Sequence, residues 1–123
     1  MNTFQSLKER YLVCDAGCPI LSSGNLEDEM LLYNLNEEKM LLLTRQFYLL
    51  TGKELGPTSK TEELSGGQKV ILMCLMALYS SARAIAFINL ERSLDAHRIA
   101  ALQAVIQNLA AGREIIHRDY DAD

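Results

Sequence analysis

Three segments of this 123-residue chain predict an α/β fold, a small mixed sheet with packed helices in a single domain spanning 1–123. Residues 70–78 are apolar on every side and follow a pair of glycines, the pattern of a helix buried against a sheet. Residues 84–88 are a short continuous apolar run of the kind that fits a buried parallel strand. Ile99, Leu102, Val105, Ile106 and Leu109 then recur at three- and four-residue spacing, so a helix begins near Leu94 to Ala96. Gly112 stops it, and residues 113–117 make a second short strand. Residues 84–117 therefore read as a βαβ unit, with the right-handed crossover such units adopt.

The elements before this unit follow in order. Residues 11–14 and 19–21 flank a turn at Asp15-Ala16-Gly17 and are expected to pair as a hairpin. Asn25, with Asp28 three positions on, opens a helix reaching to about Asn34. Residues 40–50 fit two periods: Lys39, Leu43, Phe47 and Leu50 form a helix stripe, whereas Leu41, Leu43, Phe47 and Leu49 suit a strand. Gly56-Pro57-Thr58-Ser59 is an exposed loop.

Leu64-Ser65-Gly66-Gly67-Gln68-Lys69 opens the apolar helix, and this is where chemistry enters. Two glycines cost stability, roughly 1 kcal/mol each against alanine inside a helix. They also leave backbone N–H groups bare beside a serine hydroxyl and the positive end of a helix dipole, a setting that suits phosphate. A ligand-free explanation exists for part of the pattern, because Ser65 with Gln68 three positions on satisfies a capping box. Capping alone gives no reason for Gly66 and Gly67.

The same residues resemble the signature motif of ABC-type ATPases. With Thr51-Gly52-Lys53 before them and Leu94-Asp95-Ala96-His97-Arg98 behind, the string from about residue 51 to 109 is similar to the C-terminal head lobe of the structural maintenance of chromosomes (SMC) family, cohesin third-subunit type. That resemblance implies that residues 40–50 are a strand. It also implies that Leu64 to Lys69 close on the terminal phosphate of ATP seated in a partner head, with Leu94 and Asp95 lining the head-to-head seam.

Departures from the family pattern imply a degenerate member. Gly52-Lys53-Glu54 has neither the spacing nor the hydroxyl of a phosphate-cradling loop, so no Walker A motif is present. Where the resemblance places the magnesium-binding aspartate and the water-activating glutamate, the sequence has Ile88 and Asn89, or Asn89 and Leu90 in the other register. Glu91 nearby is a single carboxylate, too few to hold magnesium and activate water together. His117 stands where many ABC proteins have a switch histidine and is otherwise an ordinary strand-end residue. The long coiled coil, the hinge and the N-terminal lobe of an SMC protein are absent from this sequence.

Composition limits the remaining choices. Sixteen acidic and twelve basic residues give a net charge of −4 with no basic stripe, which argues against direct nucleic-acid binding and for a protein partner. No run approaches a membrane span, and residues 1–10 lack the order of a signal peptide, so the expected location is intracellular, nuclear or cytoplasmic, with the resemblance favouring nuclear. Cys14, Cys18 and Cys74 have no metal-ligand spacing and read as free thiols. The expected function is a non-catalytic interaction module, a pseudo-ATPase with no cofactor of its own, ATP entering only on a partner head. The partner is an SMC-type head or another chromosome-complex subunit, and in isolation the chain is a homodimer. Two alternatives stand beside it: a subunit supplying the signature motif in trans to an ATPase site on another chain, and a diverged relic that binds through another surface.

Overall fold

The computed structural model describes residues 3–19 and 24–120, with side chains from Ser6 onward. Helix α1 (Thr3–Arg10) leads into strand β1 (Leu12–Asp15); helices α2 (Leu26–Leu32) and α3 (Glu37–Thr51) follow, then a single 3-10 turn over Thr61–Glu63. Helix α4 (Gly66–Tyr79), strand β2 (Ala84–Ile88), the one-turn helix α5 (Leu90–Ser93), helix α6 (Ala96–Leu109) and strand β3 (Glu114–Arg118) complete the order.

The three strands form one sheet in the order β1-β2-β3, and both pairs run parallel. Leu12 lies opposite Ile85, and Ile85 opposite Ile115. Leu12–Asp15 pair in parallel with the distant β2, and of the second arm of the expected hairpin residues 20 and 21 lie outside the described residues. A turn at Asp15-Ala16-Gly17 is consistent with either partner, so local turn chemistry did not fix the pairing. Among the described residues both pairings of the three-stranded sheet are parallel, where a mixed sheet was expected. The βαβ unit over β2, α6 and β3 is present, with β2 and β3 adjacent and parallel.

Alternation along parallel strands sorts the side chains. Leu12, Cys14, Ile85, Phe87 and Ile115 point toward the main core, in which Val70 to Leu78 of α4 are all buried. Helix α4 packs on α3 and α6 as well as on the sheet, which explains why it is apolar all round. Burial pushes the Cys14 thiol up to about 12 and raises Cys74 further from its ordinary range; desolvation also lifts the Tyr33 phenol to about 12, aided by Cys14, Glu29 and Cys74 nearby.

Residues 40–50 are helical, a correction to the strand that the resemblance implied. Asn36 caps the start by accepting from the Lys39 N–H at 2.9 Å, and Gly52 ends the helix in the left-handed region at φ 76°. Leu43 and Phe47, four apart, are its fully buried residues, while Leu41, Leu42, Tyr48 and Leu49 are exposed. Thr51-Gly52-Lys53 is consequently a helix stop: the Thr51 hydroxyl donates to the Phe47 carbonyl and accepts from the Lys53 N–H.

Candidate signature-loop site

Ser65 sits at the N-cap of α4 with extended backbone, and its hydroxyl accepts from the Gln68 N–H at 3.2 Å. Gln68 reciprocates, its side-chain oxygen accepting from the Ser65 N–H at 3.0 Å. The capping box read from sequence is thus formed, and it leaves the N–H groups of Gly66 and Gly67 without an acceptor among the described residues.

The two glycines differ. A Cβ on Gly66 would meet nothing within 4 Å, so packing within this chain does not require glycine there. A Cβ on Gly67 would stand 2.9 Å from Arg98 Nη1 and 3.5 Å from Leu94 Cδ2. Gly67 therefore packs against the start of the next long helix, whereas the sequence suggested that neither glycine packed anything. Leu64 is buried beneath the turn, Ser65 and Gly66 are exposed, and Lys69 is half-buried.

Asp95 caps α6, its Oδ1 accepting from the Arg98 N–H at 2.8 Å, while Arg98 Nε lies 4.0 Å from Asp95 Oδ2. The fold thereby joins the two sequence-predicted segments, Leu64 to Lys69 and Leu94-Asp95, through the guanidinium of Arg98. Two helix N-termini, one guanidinium and the Asp95 carboxylate share this face, and the Gly66 and Gly67 N–H groups, without an acceptor among the described residues, are the donors it offers to an anionic group. Arg98 is the residue that sequence reasoning passed over. Its spacing of three from Asp95 was visible, but its approach to Gly67 depends on how α4 and α6 pack.

The strand-end positions lie elsewhere, at the carboxyl edge of the sheet. Ile88 is buried in β2 between Asp15 and Arg118. Asn89 follows in the left-handed region at φ 57°; its Oδ1 accepts from the Tyr120 N–H at 2.7 Å, and its own N–H donates to the Arg118 carbonyl at 2.9 Å. Asn89 thus pins the segment after β3. Leu90 is buried, Glu91 is exposed, and Asp15 of the neighbouring strand brings a carboxylate to this edge, accepting from the Gly17 N–H at 2.9 Å. His117 stacks on Phe87 with ring centroids 5.4 Å apart and lines a cavity of about 90 Å³ with Leu90, Glu91, Arg118 and Asp119. Among the described residues no cluster of three His, Cys, Asp or Glu side chains has the geometry of a metal site, and no helix is long and apolar enough to cross a membrane.

No protein-family model and no curated protein matches the sequence. Solved structures do. The ATP-binding subunit of an ABC transporter superposes with a TM-score of 0.66 at 20% identity, over 96% of this chain and 51% of that one. A transporter assigned to the metal-chelate ABC type, in an inward-facing conformation, superposes with a TM-score of 0.61 at 14% identity, over 88% of this chain and 47% of that one. The fold is that of part of an ABC-type ATPase, and the chain spans about half the length of the chains it matches.

Proposed function

We propose that this chain is a non-catalytic module of SMC-head type that binds a protein partner through the face formed by Leu64 to Lys69 together with Leu94, Asp95 and Arg98. The observation that carries the reading is the pair of unoccupied N–H groups at Gly66 and Gly67, held beside Arg98 on an exposed turn. Gly66 costs helix stability and meets no neighbour, which is understandable if a group from outside the chain approaches the backbone there. The partner is an SMC-type head or another subunit of a chromosome-associated complex, and nuclear residence follows from that. Support for the SMC type lies in Leu64 to Lys69 and Leu94 to Arg98, since Thr51-Gly52-Lys53 is a helix stop; the structural likeness supports the broader ABC fold.

Catalysis by this chain alone is not part of the proposal. Phosphoryl transfer relies on a phosphate cradle, a lysine and carboxylates for magnesium, and Ile88 and Asn89 occupy the positions where the family pattern has acids. The helix N-terminus at Gly66 and Gly67, with Arg98 beside it, favours a second reading, in which these N–H groups reach the terminal phosphate of ATP held by the partner.

Gly66→Arg tests both. It fills open space, so the fold should persist, while recovery of an SMC-type head from native-cell extract should fall by at least about tenfold. Dependence of the wild-type interaction on ATP selects the in-trans reading. Undiminished recovery with Gly66→Arg would leave the fold as a relic that binds through another surface.

A further inference from the structure

We propose that the free edge of β3 pairs with the β3 edge of a second copy of this chain, antiparallel about a two-fold axis at Ile116, extending the sheet to six strands. This surface is separate from the signature turn and does not depend on that reading. Strand β3 has β2 on one side and no strand on the other among the described residues.

Hydrogen bonds to β2 define which groups are left. The Glu114 N–H donates to the Arg83 carbonyl at 2.8 Å, and the Arg118 carbonyl accepts from the Asn89 N–H at 2.9 Å. Residues 114, 116 and 118 therefore direct their backbone groups toward β2, and Ile115 and His117 direct theirs outward. An antiparallel copy centred on Ile116 sets Ile115 opposite His117 of the second copy, and the reverse. Those are the residues with outward N–H and C=O groups, so two hydrogen-bonded pairs close the edge without a register conflict.

Side-chain charge fits the same register. Glu114 comes opposite Arg118 of the other copy, and Arg118 opposite its Glu114, in the closer, non-hydrogen-bonded class of cross-strand pair. Ile116 meets its own equivalent on the axis. Arg118 already lies along this edge, its Nη1 donating to the outward His117 carbonyl at 2.9 Å. Glu114 is held from the sheet side by Arg10 at 2.8 Å and by the Tyr11 hydroxyl, and its side chain is 45% exposed. A single residue of slippage would place the outward groups of one copy against the inward groups of the other. The five-residue strand Glu114-Ile115-Ile116-His117-Arg118 is therefore self-complementary in both backbone and charge.

Analytical ultracentrifugation of the full 123-residue chain tests the proposal. Wild type should sediment as a dimer, with twice the 13.8 kDa chain mass. Glu114→Lys alone and Arg118→Glu alone each set like charges opposite one another twice and should weaken self-association by about tenfold or more. Mixing the two variants restores both opposite-charge pairs, so a heterodimer of near wild-type strength should appear. Should circular dichroism show that Glu114→Lys is unfolded, His117→Pro serves instead: the backbone group it removes is an outward N–H, its loss of the ring stacked on Phe87 is checked by the same spectrum, and it should abolish the dimer. A monomer at concentrations up to about 0.5 mM, a dimer indifferent to these changes, or a mixture that fails to recover would each overturn the pairing.

Discussion

Gly66 and Gly67 are adjacent in sequence and opposite in role. Replacing Gly66 by alanine should stabilise the free chain by up to about 1 kcal/mol, since the helix gains propensity and the added methyl meets nothing. The Cβ of Gly67→Ala would press on Arg98 Nη1, the far end of a flexible side chain, so its benefit should be smaller and the Arg98 position should change. Paired thermal melts would show Gly66→Ala melting above Gly67→Ala; the reverse order would contradict the packing described. The helix starts at Ser65 and Asn25 were legible because a cap is a contact within four residues; the cap that Asp95 makes on α6 is equally local but was not read. The bridge from Arg98 to Gly67 was not, because it spans two helices whose packing no local pattern encodes.

At the scale of elements, α4 is finished from outside its own sequence. The Arg113 guanidinium donates to the carbonyls of Leu78 and Ser80, occupying orphan acceptors where the helix dipole is negative. Burial lowers the Arg113 pKa from its ordinary value, but the group stays charged. Arg113→Met should cost about 1 to 2 kcal/mol, read from urea denaturation, since it strips charged hydrogen bonds from a partly exposed site. A loss within about 0.3 kcal/mol would mean that water replaces the clamp. Helices α4 and α6 and strand β2 were readable from their own pattern, being long or uniformly apolar, and β3 followed from the stop at Gly112. Helix α3 was misread for a different reason: the family likeness of Thr51-Gly52-Lys53 overrode the stripe at Leu43 and Phe47, and the caps at Asn36 and Gly52 went unread. Strand β1 was recognised, but its partner was not, since strand pairing across some seventy intervening residues leaves no mark in the local sequence.

For the whole molecule, burial of thiols and a phenol sets the response to alkali. Cys14 goes from 9.0 to about 12 and Tyr33 from 10.0 to about 12, with Cys74 raised as well. A raised folded-state pKa means that the native chain holds its protons more tightly than the unfolded one. The associated stability is fully present below pH 9 and is lost as pH climbs toward 12. Melting temperature should accordingly be insensitive to these groups from pH 7 to 9 and fall steeply above that; a flat profile to pH 11.5 would be inconsistent with the burial. Thiol titration provides an independent check, because exposed Cys18 should react at once with a disulfide reagent and buried Cys14 and Cys74 only on unfolding.

The β1–β2 pairing also has a kinetic consequence. Strands β2 and β3 are joined by one helix and can meet early, whereas Leu12 must find Ile85 across the whole of α2, α3 and α4. Loop-closure entropy makes that encounter late and the resulting contact the easiest to reopen. Native-state amide exchange should then divide the sheet unevenly. The Ala16 N–H, bonded to the Ile88 carbonyl at 2.9 Å, should exchange through an opening that costs less than release of the amides in α4 and β2. The sheet would behave as a locally assembled pair of strands onto which the N-terminal strand docks last and from which it departs first.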